Sequence, residues 1–205
     1  MKASTESRFS APALALATIS FAFSFAAWGL IGGLAPLFAD LYTLTGSQTA
    51  FLVAVPVLLG SLARLPMGML TDRFGGRVMF TLLLVLSAIA AWLVPETTSY
   101  GSLVAAAFFL GLAGSSFAIG AAFVSRWTPS GRQGTALGIY GLGTLGQSLA
   151  VFGGPVVAAW LEWQAVFRGT SLLLLVWAAV FVALAQPGVG GSPGGRGRDD
   201  ARTEN

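Results

Sequence analysis

Long runs without a charged residue constrain this chain most. Six such runs, each of 18 to 31 residues, are Phe9–Ala39, Leu41–Ala63, Val78–Pro95, Thr97–Ser125, Gln133–Leu161 and Gly169–Gly195. The hydrocarbon core of a bilayer is about 30 Å thick and is crossed by about 20 apolar residues of α-helix. The runs therefore predict an all-α integral membrane protein with six transmembrane helices, and they leave little of the 205 residues for a soluble domain.

The composition excludes several classes of function. Charged residues make up 9% of the chain, whereas they form about a quarter of an ordinary soluble domain. The chain has no Cys and no His, which excludes disulfides, thiolate and imidazole metal ligands, and catalysis by either residue. Basic residues form no stripe with stacking aromatic residues, so we expect no nucleic-acid partner. We expect a protein that is not an enzyme and needs no metal or cofactor.

The predicted spans are helical because backbone polar groups in lipid must be satisfied within their own segment. We place them at residues 13–39, 48–71, 78–95, 100–126, 133–160 and 166–185. The bundle then occupies residues 13–185, between an N-terminal segment at 1–12 and a tail at 186–205. From Pro187 onwards the tail has six Gly, two Pro and three Arg, and this composition predicts disorder.

Lys and Arg alternate between loops and indicate the topology. Basic residues are present in the loops after the second and fourth spans and at both termini, and cytoplasmic loops are enriched in them. Assigning these segments to the cytoplasm places nine of the eleven cations there. Arg168 then lies near the outer surface, and Arg64 lies at neither surface. We expect a multi-pass protein of the cell (inner) membrane with both termini cytoplasmic.

Arg64 lies inside the second span, eight positions before Asp72. Eight residues of helix rise about 12 Å, which places this arginine near the middle of the bilayer. An arginine there costs about 2.5–3.5 kcal/mol or more and normally faces a bundle interior or an aqueous cavity. The alternative is a structural arginine whose long side chain reaches towards the interface.

A small oxyanion is the natural ligand for such an arginine. Guanidinium is permanently protonated and offers paired donors that match a planar oxyanion. Gly60 and Gly68, four residues to either side, leave bare backbone beside it. Asp, Glu and His are absent from comparable depth, so this segment favours anion exchange, or coupling through groups elsewhere, over a proton relay.

The loop between the second and third spans has the sequence GMLTDRFGGR at 68–77. By itself it predicts a tight turn with arginines that orient the chain. Its pattern and position also resemble the signature of the major facilitator superfamily, which implies one half of such a transporter, built as a 3+3 inverted repeat. The resemblance implies a cytoplasmic gating loop formed by Gly68, Asp72, Arg73, Gly75 and Arg77.

Small residues are concentrated in the fourth and fifth spans, where they allow close helix packing. Together with RLPMG at 64–68, the segments GLAGSSFA at 111–118 and QGTALGIYGLGTLG at 133–146 resemble the nitrate/nitrite porter (NarK-type) branch of the superfamily. That resemblance implies transport of nitrate or nitrite by alternating access. It implies that Arg64 clamps the anion and that Phe117 packs against Arg64. The implied substrate-binding residues are Arg64, Phe117, Gly141, Gly143, Thr144 and Gly146.

Two features qualify the resemblance. Thr144 stands where the family carries Asn, so a hydroxyl replaces an amide, and the choice among nitrate, nitrite and another oxyanion stays open. Family members complete the anion site with an arginine from a second six-helix half. We therefore expect a second half or a second copy of this chain as partner. The alternatives are a truncated or accessory membrane subunit that does not transport, and a half-transporter for another anionic solute.

Overall fold

Six membrane-spanning helical segments form a bundle in the computed structural model, which describes residues 11–185. We call them spans 1 to 6, and they are Ala11–Gly33, Gly46–Phe74, Gly76–Glu96, Tyr100–Arg126, Ser130–Trp160 and Trp163–Leu184. The described residues contain α- and 3₁₀-helix and no strand. The predicted all-α, six-span architecture is confirmed. The predicted N-terminal segment falls almost entirely, and the predicted tail wholly, outside the described residues.

The first span differs from the single helix predicted at 13–39. The helix Ala11–Gly33 is followed by a short helix, Ala35–Leu41, with Leu34 between them. Pro36 lies in the first turn of the short helix. A proline has no backbone N–H and its ring crowds the preceding turn, so it favours a new helix start over a continuous helix.

Two spans begin with capping boxes at the same end of the bundle. Thr45 and Gln48 exchange hydrogen bonds at the start of span 2, and Ser99 and Ser102 do so at the start of span 4. Each box satisfies two backbone donors that a helix start would otherwise leave without partners. At the opposite end, Gly75 joins spans 2 and 3 with φ of 85°, a conformation that glycine adopts without a steric penalty.

Spans 4 and 5 each contain a 3₁₀ segment near the middle. In span 4 the segment is Gly111–Ser115, between the helices Tyr100–Leu110 and Ser116–Arg126. In span 5 it is Leu142–Thr144, between Gln133–Gly141 and Leu145–Trp160. The sequence predicts helix over both spans and does not indicate these 3₁₀ segments. The 3₁₀ turn is tighter than the α-helical turn, and its occurrence within a long helix often marks a hinge.

Candidate functional site

Arg64 lies in the middle part of span 2, ten residues before the span ends at Phe74. That separation corresponds to about 15 Å along the helix, half the thickness of a bilayer core. The side chain is exposed on the six-helix bundle. Within residues 11–185 it makes no hydrogen bond or ion pair. The guanidinium therefore keeps all of its donors available for a ligand.

Span 2 is anchored to span 4 one helical turn from Arg64. A Cβ atom on Gly60 would lie 2.9 Å from the carbonyl oxygen of Gly111 and 3.4 Å from the Cα atom of Gly114. The Trp28 ring of span 1 also lies against Gly114, 3.5 Å from the position of a Cβ atom there. Such close backbone approach is possible only with glycines. The contact fixes the position from which Arg64 projects.

The two glycines that flank Arg64 have different surroundings. Gly60 is buried in the contact with span 4, whereas a Cβ atom on Gly68 would have no neighbour within 4 Å. The expectation of bare backbone beside the guanidinium therefore applies to Gly68, on the side of the loop between spans 2 and 3.

Phe117 stands next to the 3₁₀ segment of span 4, and 43% of its surface is exposed. Its ring centroid lies 5.7 Å from that of Phe21 and 5.8 Å from that of Tyr140. The Tyr140 hydroxyl donates a hydrogen bond of 2.9 Å to the carbonyl of Ser116. The buried rings of Phe21 and Tyr140 therefore pack on one side of Phe117, and its other side is exposed.

Phe117 and Arg64 are not stacked on each other. The cation–π contacts of the described residues join Arg73 to Phe74 at 5.4 Å and Arg168 to Trp92 at 5.8 Å. The described residues thus show no cation–π contact between Phe117 and Arg64.

The glycine-rich part of span 5 divides into packed and open positions. Gly143 and Gly146 are buried against Phe21 and the backbone of Ala22 in span 1. Gly141 has open space where a Cβ atom would be. Thr144 is exposed, and its hydroxyl donates to the Gly141 carbonyl. Of these residues, Gly143 and Gly146 pack helices together, and Thr144 presents a polar side chain at the bundle surface.

The loop between spans 2 and 3 is tied to neighbouring spans by charged residues. Arg126, at the end of span 4, donates to the Asp72 carboxylate at 3.1 Å and to the Asp72 carbonyl at 3.3 Å. The Arg77 guanidinium donates to the carbonyl of Val182 in span 6. Arg126 was not among the predicted loop residues, although its position as the charged end of a span was visible in the sequence.

The opposite end of the bundle carries a second exposed ion pair. Arg168 of span 6 donates to the Glu96 carboxylate at 3.0 Å. The Tyr42 hydroxyl donates to the Thr97 carbonyl at 2.9 Å, which ties the short helix after span 1 to the loop after span 3. Arg168 and Arg64 therefore lie at clearly different levels of the bundle.

A family model described as "Major Facilitator Superfamily" matches residues 17–203. The chain belongs to the Major Facilitator Superfamily. A solved structure, a bacterial homologue of the human lysosomal transporter Spinster in an inward-facing, unoccupied conformation, superposes with a TM-score of 0.71. That match has 16% sequence identity and covers 93% of this chain and 46% of the other. The likeness shows that the two chains share a fold over nearly the whole of this chain.

Several curated relatives within the superfamily carry names that refer to nitrate or nitrite. The chain is 43% identical over 144 residues to the Probable nitrate/nitrite antiporter NarK1 of Thermus thermophilus, covering 70% of this chain and 32% of the relative. It is 34% identical over 170 residues to the Nitrite extrusion protein of Bacillus subtilis, covering 82% and 43%. The resemblance to nitrate/nitrite porters is confirmed. The chain spans less than half the length of these relatives.

Proposed function

We propose that this chain is one six-helix half of a transporter that moves nitrate or nitrite across the cell membrane by alternating access. The observation that carries the proposal is Arg64, a permanent cation in the middle of span 2 that is exposed and without a partner in the described residues. A cation at this depth of a membrane is costly without a counter-ion. A transported anion would supply the counter-ion. The names of the curated relatives support nitrate and nitrite as that anion.

Anion exchange fits the site better than coupling to protons. The acidic residues of the described chain are Asp40, Asp72, Glu96 and Glu162, and all of them lie at or beyond the ends of spans. The middle of the described bundle thus has no carboxylate that could carry a proton with the substrate.

The proposal includes a partner and a topology. The exposed side of Arg64 lacks covering protein, and alternating access requires a second body that moves against this one. We propose that a second six-helix half, or a second copy of the chain, covers the site and adds another cation. The loop with Arg73 and Arg77 and the pair formed by Asp72 and Arg126 would face the cytoplasm, as the positive-inside rule requires.

Exchange of nitrate and nitrite in reconstituted vesicles tests the proposal. The vesicles would hold the chain together with the six-span polypeptide encoded beside it where there is one, or the chain alone. We expect wild-type vesicles to exchange both anions and Arg64→Lys to reduce exchange at least about tenfold, because lysine keeps the charge but loses the paired donors. Arg132→Lys is the matched control, since Arg132 is an exposed arginine at the start of span 5.

Unchanged exchange in Arg64→Lys would show that Arg64 does not hold the anion. Absence of nitrate and nitrite exchange in every arrangement would favour the accessory or truncated subunit. Exchange of a different small anion by the same vesicles would favour a half-transporter for that solute.

A further inference from the structure

We infer that Gln147 of span 5 is a further anion-contacting residue that donates a side-chain N–H to the transported oxyanion; the inference rests on the proposed function. Gln147 lies near the middle of span 5, which runs from Ser130 to Trp160. It was not part of the predicted site. Its position, its surroundings and the state of its amide each support this role.

Direct contacts place Gln147 close to the level of Arg64. A Cβ atom on Gly29 of span 1 would lie 3.0 Å from the Cγ atom of Gln147. Trp28, the neighbour of Gly29, lies against Gly114 of span 4, and Gly114 in turn lies against Gly60. Gln147 is therefore at the level of Gly60, which is one helical turn, about 5 Å, from Arg64.

Gln147 lies on the side of span 5 that packs against span 1, as Gly143 of the predicted site does. Phe21 of span 1, which lies against Gly143, also packs on Phe117, with ring centroids 5.7 Å apart. Thr144 precedes it by three residues, a spacing that makes neighbours on a helix surface. Gln147 therefore packs on the same span as Gly143 and Phe117 and is a near neighbour of Thr144.

The amide of Gln147 has no hydrogen-bond partner in the described part of the chain. In residues 11–185, the side-chain polar atoms that are both fully buried and without a hydrogen-bond partner are Ser87 Oγ, Ser116 Oγ and Gln164 Oε1. Gln147 is half-buried, but neither of its amide atoms belongs to this group. The amide therefore reaches the surface of the bundle. In the middle of a membrane an unpaired amide costs several kcal/mol, and a bound oxyanion would satisfy its donor.

The chemistry of the amide fits the same ligand as Arg64. The Gln side chain carries an NH₂ group with two donors and, unlike lysine or arginine, brings no charge that would hold the anion too tightly for release. A neutral donor beside a guanidinium increases affinity for an oxyanion and contributes geometric selectivity. Span 5 would then contact the substrate through the helix that follows its 3₁₀ segment.

Gln147→Met tests the inference, because methionine keeps the length and the packing on Gly29 but removes the donor. In the reconstituted vesicles described above, we expect the half-saturating nitrate concentration to rise about tenfold, the usual effect of losing one such bond. The unfolding temperature in nitrate-free buffer should not fall, because methionine keeps the packing and leaves no unpaired amide in the membrane. Gln147→Glu should reduce nitrate exchange further, because its carboxylate repels the anion.

Gln133→Met is the matched control. The Gln133 amide donates to the Ser125 carbonyl at 3.3 Å, near the end of span 4, so its loss should leave nitrate half-saturation unchanged. Wild-type half-saturation in Gln147→Met, with or without a lower unfolding temperature, would assign Gln147 a packing role and overturn the inference alone. Failure of wild-type vesicles to exchange nitrate and nitrite would instead overturn the proposed function, and the inference with it.

Discussion

A Cβ atom on Gly60 of span 2 would lie 2.9 Å from the carbonyl oxygen of Gly111 in span 4. This contact brings the helix that carries Arg64 against the 3₁₀ segment Gly111–Ser115, which precedes Phe117. Two residues of the predicted site are therefore positioned by one backbone contact that tolerates no side chain. If span 4 bends at its 3₁₀ segment, span 2 should therefore move with it.

Gly60→Ala should force spans 2 and 4 apart. The added methyl meets backbone, which cannot rotate away, so we expect a loss of about 1–3 kcal/mol in the free energy of unfolding and reduced anion exchange. Thermal unfolding and vesicle flux measure the two effects. Gly138→Ala in span 5 is the control, since a Cβ atom there has no neighbour within 4 Å. Equal behaviour of the two variants would contradict the role of the contact.

Asp72→Asn should slow exchange while changing stability little. The Asp72 and Arg126 side chains are 72% and 43% exposed, and exposed ion pairs contribute about 0–1 kcal/mol. If the Asp72–Arg126 pair holds the loop between spans 2 and 3 in one conformation, breaking the pair should slow exchange. The reason is that its loss shifts the equilibrium between the conformations of the transport cycle. The effect on stability should diminish at high salt, because salt screens exposed charges.

Glu96→Gln is the matched control for Asp72→Asn. It breaks the ion pair with Arg168, at the other end of the bundle, whose side chains are 54% and 47% exposed. We expect a similar small change in unfolding temperature and a wild-type exchange rate. The gating role of Asp72 is wrong if both substitutions slow exchange equally.

Thr144→Asn should change the preference between nitrate and nitrite. The Thr144 hydroxyl is exposed but donates to the Gly141 carbonyl, whereas an asparagine amide would add two donors at the same place. We expect the ratio of nitrate to nitrite exchange to shift about three- to tenfold, the effect of one hydrogen bond. Thr135→Asn, at an exposed position near the start of span 5, should leave the ratio unchanged. An unaltered ratio in both variants would remove Thr144 from the site.

The sequence by itself determined the class of the protein and the position of its central arginine along the membrane normal. Uncharged runs predicted the six spans, because a charge inside the bilayer is costly and charged residues consequently collect at helix ends. The same argument identified Arg64 as an exception. The gating-loop pattern around Asp72 and the glycine-rich segment of span 5 predicted the family, which the comparisons confirm.

Only the tertiary structure decided which residues face one another. From spacing alone, Gly60 and Gly68 were equivalent neighbours of Arg64, and Gly143, Thr144 and Gly146 formed one group. The tertiary structure gives these residues different neighbours, because the environment of each glycine depends on which helix crosses at that position. The positions of helix crossings depend on contacts between residues that are distant in sequence. For the same reason Gln147 was indistinguishable from a packed residue until its contact with Gly29 and its unpaired amide were known.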